Sequence, residues 1–456
     1  MTLGSASHQK PGQPGRDTVG ANEARVDVAR DEARPARQQQ EGLGRDDLLT
    51  QVLSRENMAA AWKRVKANKG SAGVDGLTIE QTAEHLKERW PQVRKELIAG
   101  KYQPQAVRRV EIPKPTGGMR ELGIPTVMDR LIQQALLQVL QPLMDPTFSE
   151  FSHGFRPGRS AHDAVLQAQL YVQEGFQVVV DVDWEKFFDR VNHDILMDRL
   201  AKRIADKAVL RLIRLYLQAG IMPGGVVMDR SEGTPQGGPL SPLLANVLLD
   251  EVEQDLQRRG HRFARDADDC NVYVRSQKAG ERVLALPRKL NAKLHLVVNE
   301  KKTEVGPVFG RNFLGYGLRR WTKGTVKIAV APKALDTFKQ RIRLITRRVG
   351  GKGMVQIAEQ MREYLPGWKS YFRIAQTPQA FKDLDSWTRH RLRAIQLKHW
   401  RTGRTVYSRL RALGANHELA AQIAGGAGHW WGHSEAGLNR VLTVKYFDEL
   451  GVPRLT

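Results

Sequence analysis

Cysteine is almost missing from this chain. Cys270 is the only one in 456 residues, which excludes an intrachain disulfide and any zinc site using two or more cysteines. Zinc ribbons and C2H2 fingers are thereby removed, and a reducing cytosol is the compartment that fits. No apolar run approaches the ~20 residues of a membrane span, and the N-terminus lacks the apolar core of a signal peptide. The sequence therefore reads as a soluble cytoplasmic protein with no membrane partner. Aromatic residues are sparse at 7%, and none precedes Trp62. Residues 1–45, rich in Gly, Pro, Gln and Arg, cannot bury enough apolar surface to offset the entropy of ordering and read as a disordered tail. Acid is in deficit: 49 Asp+Glu against 72 Lys+Arg leave a net charge of +23. That excess says nothing about fold but directs expectation towards a polyanionic partner. It is concentrated in Lys333–Arg411, where 19 Lys/Arg face 5 Asp/Glu.

What is present suffices for sizeable cores, with 41% hydrophobic residues and a length suggesting roughly three domains. Order is expected from Asp46. Helical spacing covers Met58–Val65, Leu77–Leu97 and Asp129–Leu143. Val107–Pro113 reads as a strand, Lys114–Arg120 as a turn with hairpin chemistry, and Glu121–Pro125 as the returning strand. Phe176–Trp184 is a strong strand signal ending in acids. Ser231–Pro242 is a loop feeding a helix that runs to about Leu256, with both prolines near its start. Arg262–Arg265 and Cys270–Val274 read as two strands flanking Asp266-Ala267-Asp268-Asp269. The last third combines helical periodicity with aromatics such as Trp368, Tyr371, Trp387 and Trp400. An aromatic core inside and a basic face outside would suit nucleic-acid binding.

Two acidic clusters carry the chemistry. Asp181 and Asp183 lie two apart on a strand and so share a face. Asp268-Asp269 sits between two apolar strands, and in a tight hairpin turn both can approach one point. Clustered acids are costly unless a cation compensates them. Mg²⁺ does so, using one or two carboxylates plus substrate phosphates. Three acids from two neighbouring strands, in a protein expected to bind a polyanion, suggest two-metal phosphoryl transfer with two Mg²⁺ ions.

From residue 50 to the C-terminus the chain resembles group II intron-encoded reverse transcriptases and maturases. Asn68–Gly76 resembles their N-terminal extension loop. Ile112-Pro113-Lys114-Pro115 with Gly118, Arg120, Leu122–Pro125 and Asp129-Arg130 resembles the fingers hairpin. Phe151–Ser160 matches the next block, and Asp183 through Phe187-Phe188-Asp189 with Asn192-His193 the first catalytic block. Gly233–Pro242 is the most specific segment. Leu294–Thr303 and Phe313–Tyr316 match later palm blocks, and Gly367–Phe372 the thumb.

The resemblance implies an α+β right-hand polymerase, with fingers and an antiparallel palm over residues 46–330. An α-helical thumb or maturase domain would follow over 331–412, then a short DNA-binding-like segment over 413–456. Asp183, Asp268 and Asp269 would be catalytic metal ligands, with Asp181 the rival for the first position. Lys114 and Arg120 would neutralise the phosphates of the incoming dNTP. Phe187 would stack under its sugar and exclude a 2′-hydroxyl. Gln236 and Gly237 would contact the template–nascent base pair, and Lys302 would protonate pyrophosphate. His153, Arg156, Arg159, Arg347, Arg348, Lys369 and Arg373 would contact nucleic acid. The implied partners are group II intron RNA, dNTPs and a DNA primer or target. The implied activity is RNA-directed DNA synthesis during intron mobility, together with assistance to splicing.

Two departures from the family pattern stand out. Asp266 occupies the place usually taken by Tyr, adding like charge beside the Asp pair; a splicing maturase with an impaired polymerase is the alternative this raises. The roughly 45 residues after Arg411 carry no cysteine pairs, which resembles the lineage lacking an endonuclease and relying on a host-supplied primer. A retron or defence-type reverse transcriptase is a third reading, against which the maturase-like thumb argues.

Overall fold

The computed structural model describes residues 47–113, 119–222, 232–234, 236–347, 350–426 and 428–456. The expected tail, the turn at 114–118 and part of the loop preceding the helix at Ser241 lie outside the described residues.

Among the described residues a short helix, Leu48–Val52, precedes the pair of helices Arg55–Ala67 and Ile79–Ile98. The second of the pair begins with a capping box, in which the Thr78 hydroxyl accepts from the Gln81 N–H while the Gln81 side chain accepts from the Thr78 N–H. This satisfies two of the donors a helix start leaves open. Strands β1 (Val107–Pro113) and β2 (Met119–Ile124) form an antiparallel hairpin. Strand β4 (Ile221–Met222) adds to β1 in parallel, a pairing the sequence does not announce because it rests on two residues far along the chain. Helix Val127–Met144 follows the hairpin. Thr126 caps it and also donates to Asp129, which is buried among Tyr102, Tyr216 and the N–H of Gln105.

The second sheet is antiparallel, in the order β5–β6–β3–β7. β3 is Val178–Val182, β5 Arg262–Asp266, β6 Asp269–Val274 and β7 Glu304–Pro307. β3 is shorter at both ends than the sequence suggests, because Phe176 and Asp183 fall outside its pairing. Alternation sends its side chains to two different cores. Val180 and Val182, with Val272 and Phe263, join one core with helices Val127–Met144 and Ser241–Arg258. Val179, Ala264 and Tyr273 join another with helix Ala161–Gln173 and strands β8 (Tyr316–Arg320) and β9 (Val326–Val330). That second core continues into helices Pro332–Ile345, Met354–Tyr371 and Pro378–Trp400.

The segment after residue 413 builds no core of its own. Leu438, Leu442, Phe447 and Val452 are buried in the same cluster as Phe338 and Leu392. No helix among the described residues is long and apolar enough to cross a membrane.

Candidate active site

Register sets the site. β3 pairs with β6 so that Asp181 faces Asn271 and Val182 faces Cys270. One step further along, the chain carries Asp183 to the end of the sheet where β5 and β6 turn. Asp266 pairs with Asp269 across that turn, leaving only Ala267 and Asp268 as its loop. Ala267 sits at φ +58°, a left-handed conformation that an L-residue with a Cβ adopts only under constraint. The constraint is visible: the buried Arg265 guanidinium donates to the Ala267 carbonyl at 2.7 Å and to the Ser152 hydroxyl and Asn246 Oδ1, and ion-pairs with buried Glu253. Gly154 leaves room on the other side; a Cβ there would lie 2.6 Å from Asp266 Oδ1 and closer still to the Ala267 backbone nitrogen.

The turn therefore gathers like charge. Burial, then the charges of Asp268, Asp181, Asp183 and Asp266, push the Asp269 carboxyl up to about 7. Burial also raises Asp181, helped by Asp183 and opposed by Arg311. Asp266 is raised by burial and by Asp268, against Arg265. One cation already answers this charge: Lys302 Nζ lies 3.2 Å from Asp183 Oδ2. Asp183 is otherwise fixed through its backbone, its N–H donating to Thr303 Oγ1 and its carbonyl accepting from the Asn299 N–H at 2.8 Å. Among the described residues no three His, Cys, Asp or Glu side chains are already drawn into a ligand cage. Mg²⁺ does not require one, because it keeps waters and substrate phosphates as most of its ligands. The donor set fits Mg²⁺ in kind: carboxylate oxygens in mutual repulsion, one of them steadied by an ammonium group.

The other residues singled out by sequence fall into distinct places. Gln236 Oε1 accepts from Arg120 Nε at 2.8 Å, and the Gln236 carbonyl accepts from the Gly123 N–H, so the loop before Ser241 is tied to β2. Gly237 (φ +133°) passes so close that a Cβ would lie 2.8 Å from the Gly123 carbonyl. Phe187 is buried in the first core, edge-on to Phe188 at 5.2 Å and near Trp184. Arg156 is buried, its guanidinium bonded to Asp145 and to the carbonyls of Ser149 and Ser152. Arg159 bonds the Glu150 carbonyl. Lys369 donates to the carbonyls of Arg454 and Thr456 at 3.3 and 3.1 Å. Arg347 and Arg373 are exposed; Lys114 and Arg348 lie outside the described residues.

His153 is buried with neither ring nitrogen partnered by protein. Burial, then Arg159, push it down from 6.5 to about 4. The fold thus favours neutral imidazole, while the unfolded chain takes up a proton as pH falls through 6.5. The His153 contribution to stability is intact above 6.5 and is lost progressively between 6.5 and about 4. Urea unfolding at pH 7 and pH 5 is expected to show up to about 2 kcal/mol of acid destabilisation that a His153→Gln variant lacks.

Sequence reasoning missed two contributors. Arg265 and Glu253 form the buried pair under the turn, and the only trace of it is a charged residue at a core position of an apolar strand. Tyr371, on the helical domain, stacks on Tyr316 with ring centroids 5.8 Å apart and donates to the Leu314 carbonyl. Burial raises its hydroxyl pKa, and so do the charges of Asp266 and Asp269. No spacing in the sequence links residue 371 to the turn.

An antiparallel sheet that presents acids at a β-turn, beside a hairpin and ahead of a basic helical domain, has the architecture of a right-hand polymerase fold. Residues 112–318 match the reverse transcriptase (RNA-dependent DNA polymerase) family, and residues 335–414 match the group II intron maturase-specific domain. In these two segments the chain is similar to group II intron reverse transcriptases and maturases. It is 37% identical over 218 residues to Protein YkfC of Escherichia coli, covering 46% of this chain and 57% of that one. To the group II intron-encoded protein LtrA of Lactococcus lactis it is 32% identical over 249 residues, 53% of this chain and 41% of that one. To the putative COX1/OXI3 intron 2 protein of Saccharomyces cerevisiae it is 31% identical over 203 residues, 44% of this chain and 23% of that one. The chain thus spans about half the length, or less, of the curated relatives it matches.

Proposed function

We propose that this chain is an RNA-directed DNA polymerase that binds a group II intron RNA, assists its splicing and copies it into DNA by two-metal nucleotidyl transfer. The observation that carries this reading is the meeting of Asp183 with the Asp268-Asp269 turn at one end of the palm sheet, with Asp269 raised to about 7 by burial and its neighbours. Asp183, Asp268 and Asp269 would hold two Mg²⁺ ions, which when bound supply charge neutralisation at the attacking 3′-hydroxyl and the departing pyrophosphate. Lys302, which lies 3.2 Å from Asp183, would deliver a proton to that pyrophosphate. Arg120 and the Gln236 loop, held together at 2.8 Å, form one wall of a dNTP site. The basic surface of the helical domain would hold the RNA. Primer extension on an RNA template with Mg²⁺ tests the polymerase, and precursor splicing in low Mg²⁺ with and without the protein tests the maturase.

One observation favours a second reading, a maturase with a weakened polymerase. Asp266 adds a fifth acid to the group formed by Asp181, Asp183, Asp268 and Asp269, and its charge adds to the repulsion on Asp269. Asp266→Tyr is expected to raise primer extension about tenfold, through relief of that repulsion, and to leave splicing unchanged. An extension rate that falls on this substitution would show Asp266 to be part of the working site.

A further inference from the structure

Beyond the polymerase reading, the far end of the palm sheet carries a second feature with binding chemistry. β5 begins at Arg262, β6 ends at Val274 and β3 begins at Val178, so three strand ends meet there. β6 carries Asp269 at its start, and its six residues separate this end from the catalytic turn by about 17–20 Å. The strand ends enclose a groove of about 450 Å³, lined among others by Phe176, His261, Arg262, Tyr273, Arg275 and Arg282. That volume falls within the ~300–1,000 Å³ of ordinary ligand sites. No acid is among its lining residues. Arg262, Arg275 and Arg282 are exposed, and none of them forms an ion pair among the described residues.

Three unanswered guanidinium groups around one apolar groove are unfavourable neighbours unless an anion joins them. Two of them already address an aromatic ring: the Arg275 guanidinium carbon lies 4.4 Å and that of Arg262 6.0 Å from the Phe176 centroid. The start of helix Gln277–Leu294, capped by Ser276, lies beside Arg275 and adds the positive end of its dipole. His261 is pushed down by burial first and then by Arg259, against Asp255. An aromatic–guanidinium platform within a cationic rim matches the chemistry of single strands, whose bases stack while their phosphates pair.

We infer that this groove is a second nucleic-acid subsite, which takes a single-stranded segment with one base over Phe176 and its phosphates on Arg262, Arg275 and Arg282. Stacking and phosphate pairing are sequence-tolerant and serve RNA and DNA alike. The occupant is a strand and not a free nucleotide, because three arginines around the rim match several consecutive phosphates.

The test uses the full chain with its catalytic cleft filled by an RNA–DNA primer–template hybrid, and a fluorescent oligo(U) or oligo(dT) as probe. The wild-type protein is expected to bind both probes under these conditions. The triple variant R262Q/R275Q/R282Q is expected to bind about tenfold or more weakly, with the slope of log affinity against log salt reduced by about 2. Its extension rate on the short hybrid and its melting temperature should stay at wild-type values. Arg275→Lys, which keeps the charge and loses the planar contact, should retain the salt slope and lose part of the affinity. Should the triple variant not fold, Arg282→Gln alone, on an exposed helix surface, is expected to lower the slope by about 0.7. Failure of the filled protein to bind either probe, unchanged affinity and slope in the variants, or complete displacement of the probe by uridine monophosphate would each overturn the inference. Since extension is followed separately, loss of the polymerase reading and loss of this subsite give different results.

Discussion

Replacing Asp183 with Ala, or Asp269 with Asn, is expected to reduce primer extension about 10³-fold or more while leaving the fold intact. Each change removes an oxygen ligand from the place where transition-state charge develops, and such stabilisation is worth several kcal/mol, with each 1.4 kcal/mol a factor of ten in rate. The structural consequences of the two differ. Asp183 is answered by Lys302 at 3.2 Å, so its removal releases an ammonium group to solvent and changes stability little. The Asp269 side chain is exposed at the turn, yet partial desolvation and the charges of Asp268, Asp181, Asp183 and Asp266 disfavour its ionised form, which therefore opposes folding. Asp269→Asn is therefore expected to raise the melting temperature in the absence of divalent ions while abolishing extension. Mg²⁺ should raise the melting temperature of the wild type and do so much less for Asp269→Asn. If extension survived either substitution, the assignment of these acids as metal ligands would fall.

The second large effect is expected away from the reacting groups. Arg265 and Glu253 have 1% and 2% of their side chains exposed. Arg265→Met leaves the Glu253 carboxylate buried without its partner and removes the donors that reach Ser152, Asn246 and the Ala267 carbonyl. Breaking one side of such a pair costs about 3–5 kcal/mol. The double change Arg265→Met with Glu253→Leu removes both charges and should recover much of that loss, because a buried pair is weak in net stabilisation compared with apolar packing. It should not recover extension, since the carbonyl of Ala267 would still lack the donor that holds the turn. Denaturant unfolding gives the first comparison and primer extension the second. Equal recovery of both would show that Arg265 acts on stability alone.

Much of the fold is legible because short-range patterns decide it. The apolar runs at Val107–Pro113 and Cys270–Val274 become strands within a residue of expectation, and the helix expected over Asp129–Leu143 runs from Val127 to Met144, its start set by the Thr126 cap. At the site, the pairing of Asp266 with Asp269 follows from two apolar strands separated by four residues. What the sequence does not show is set by distance along the chain. Lys302 reaches Asp183 across 119 residues, and the loop at Ser152 lies beside Arg265 by a bridge that no local pattern encodes. Nor does a motif distinguish an exposed arginine from one such as Arg156, which is consumed by Asp145 and three backbone carbonyls. Phe187 is a similar case: the family resemblance assigns its ring to the sugar of the incoming nucleotide, and the fold packs that ring against Trp184 and Phe188.

The palm sheet has a core on each of its faces, with Val180 and Val182 in one and Val179 and Tyr273 in the other. The cores on the two faces thus share a single wall whose β3 strand is five residues long. Cutting the chain after β9 would take Tyr371 and Phe372 away from Tyr316 and open the second core where it continues into the helices, so a fragment ending there should be prone to clumping instead of standing alone. Evolution could then vary the exterior of the helices freely, yet could not discard the helices themselves, and a lineage that lost the use of one half would still be obliged to carry it as the foundation of the other.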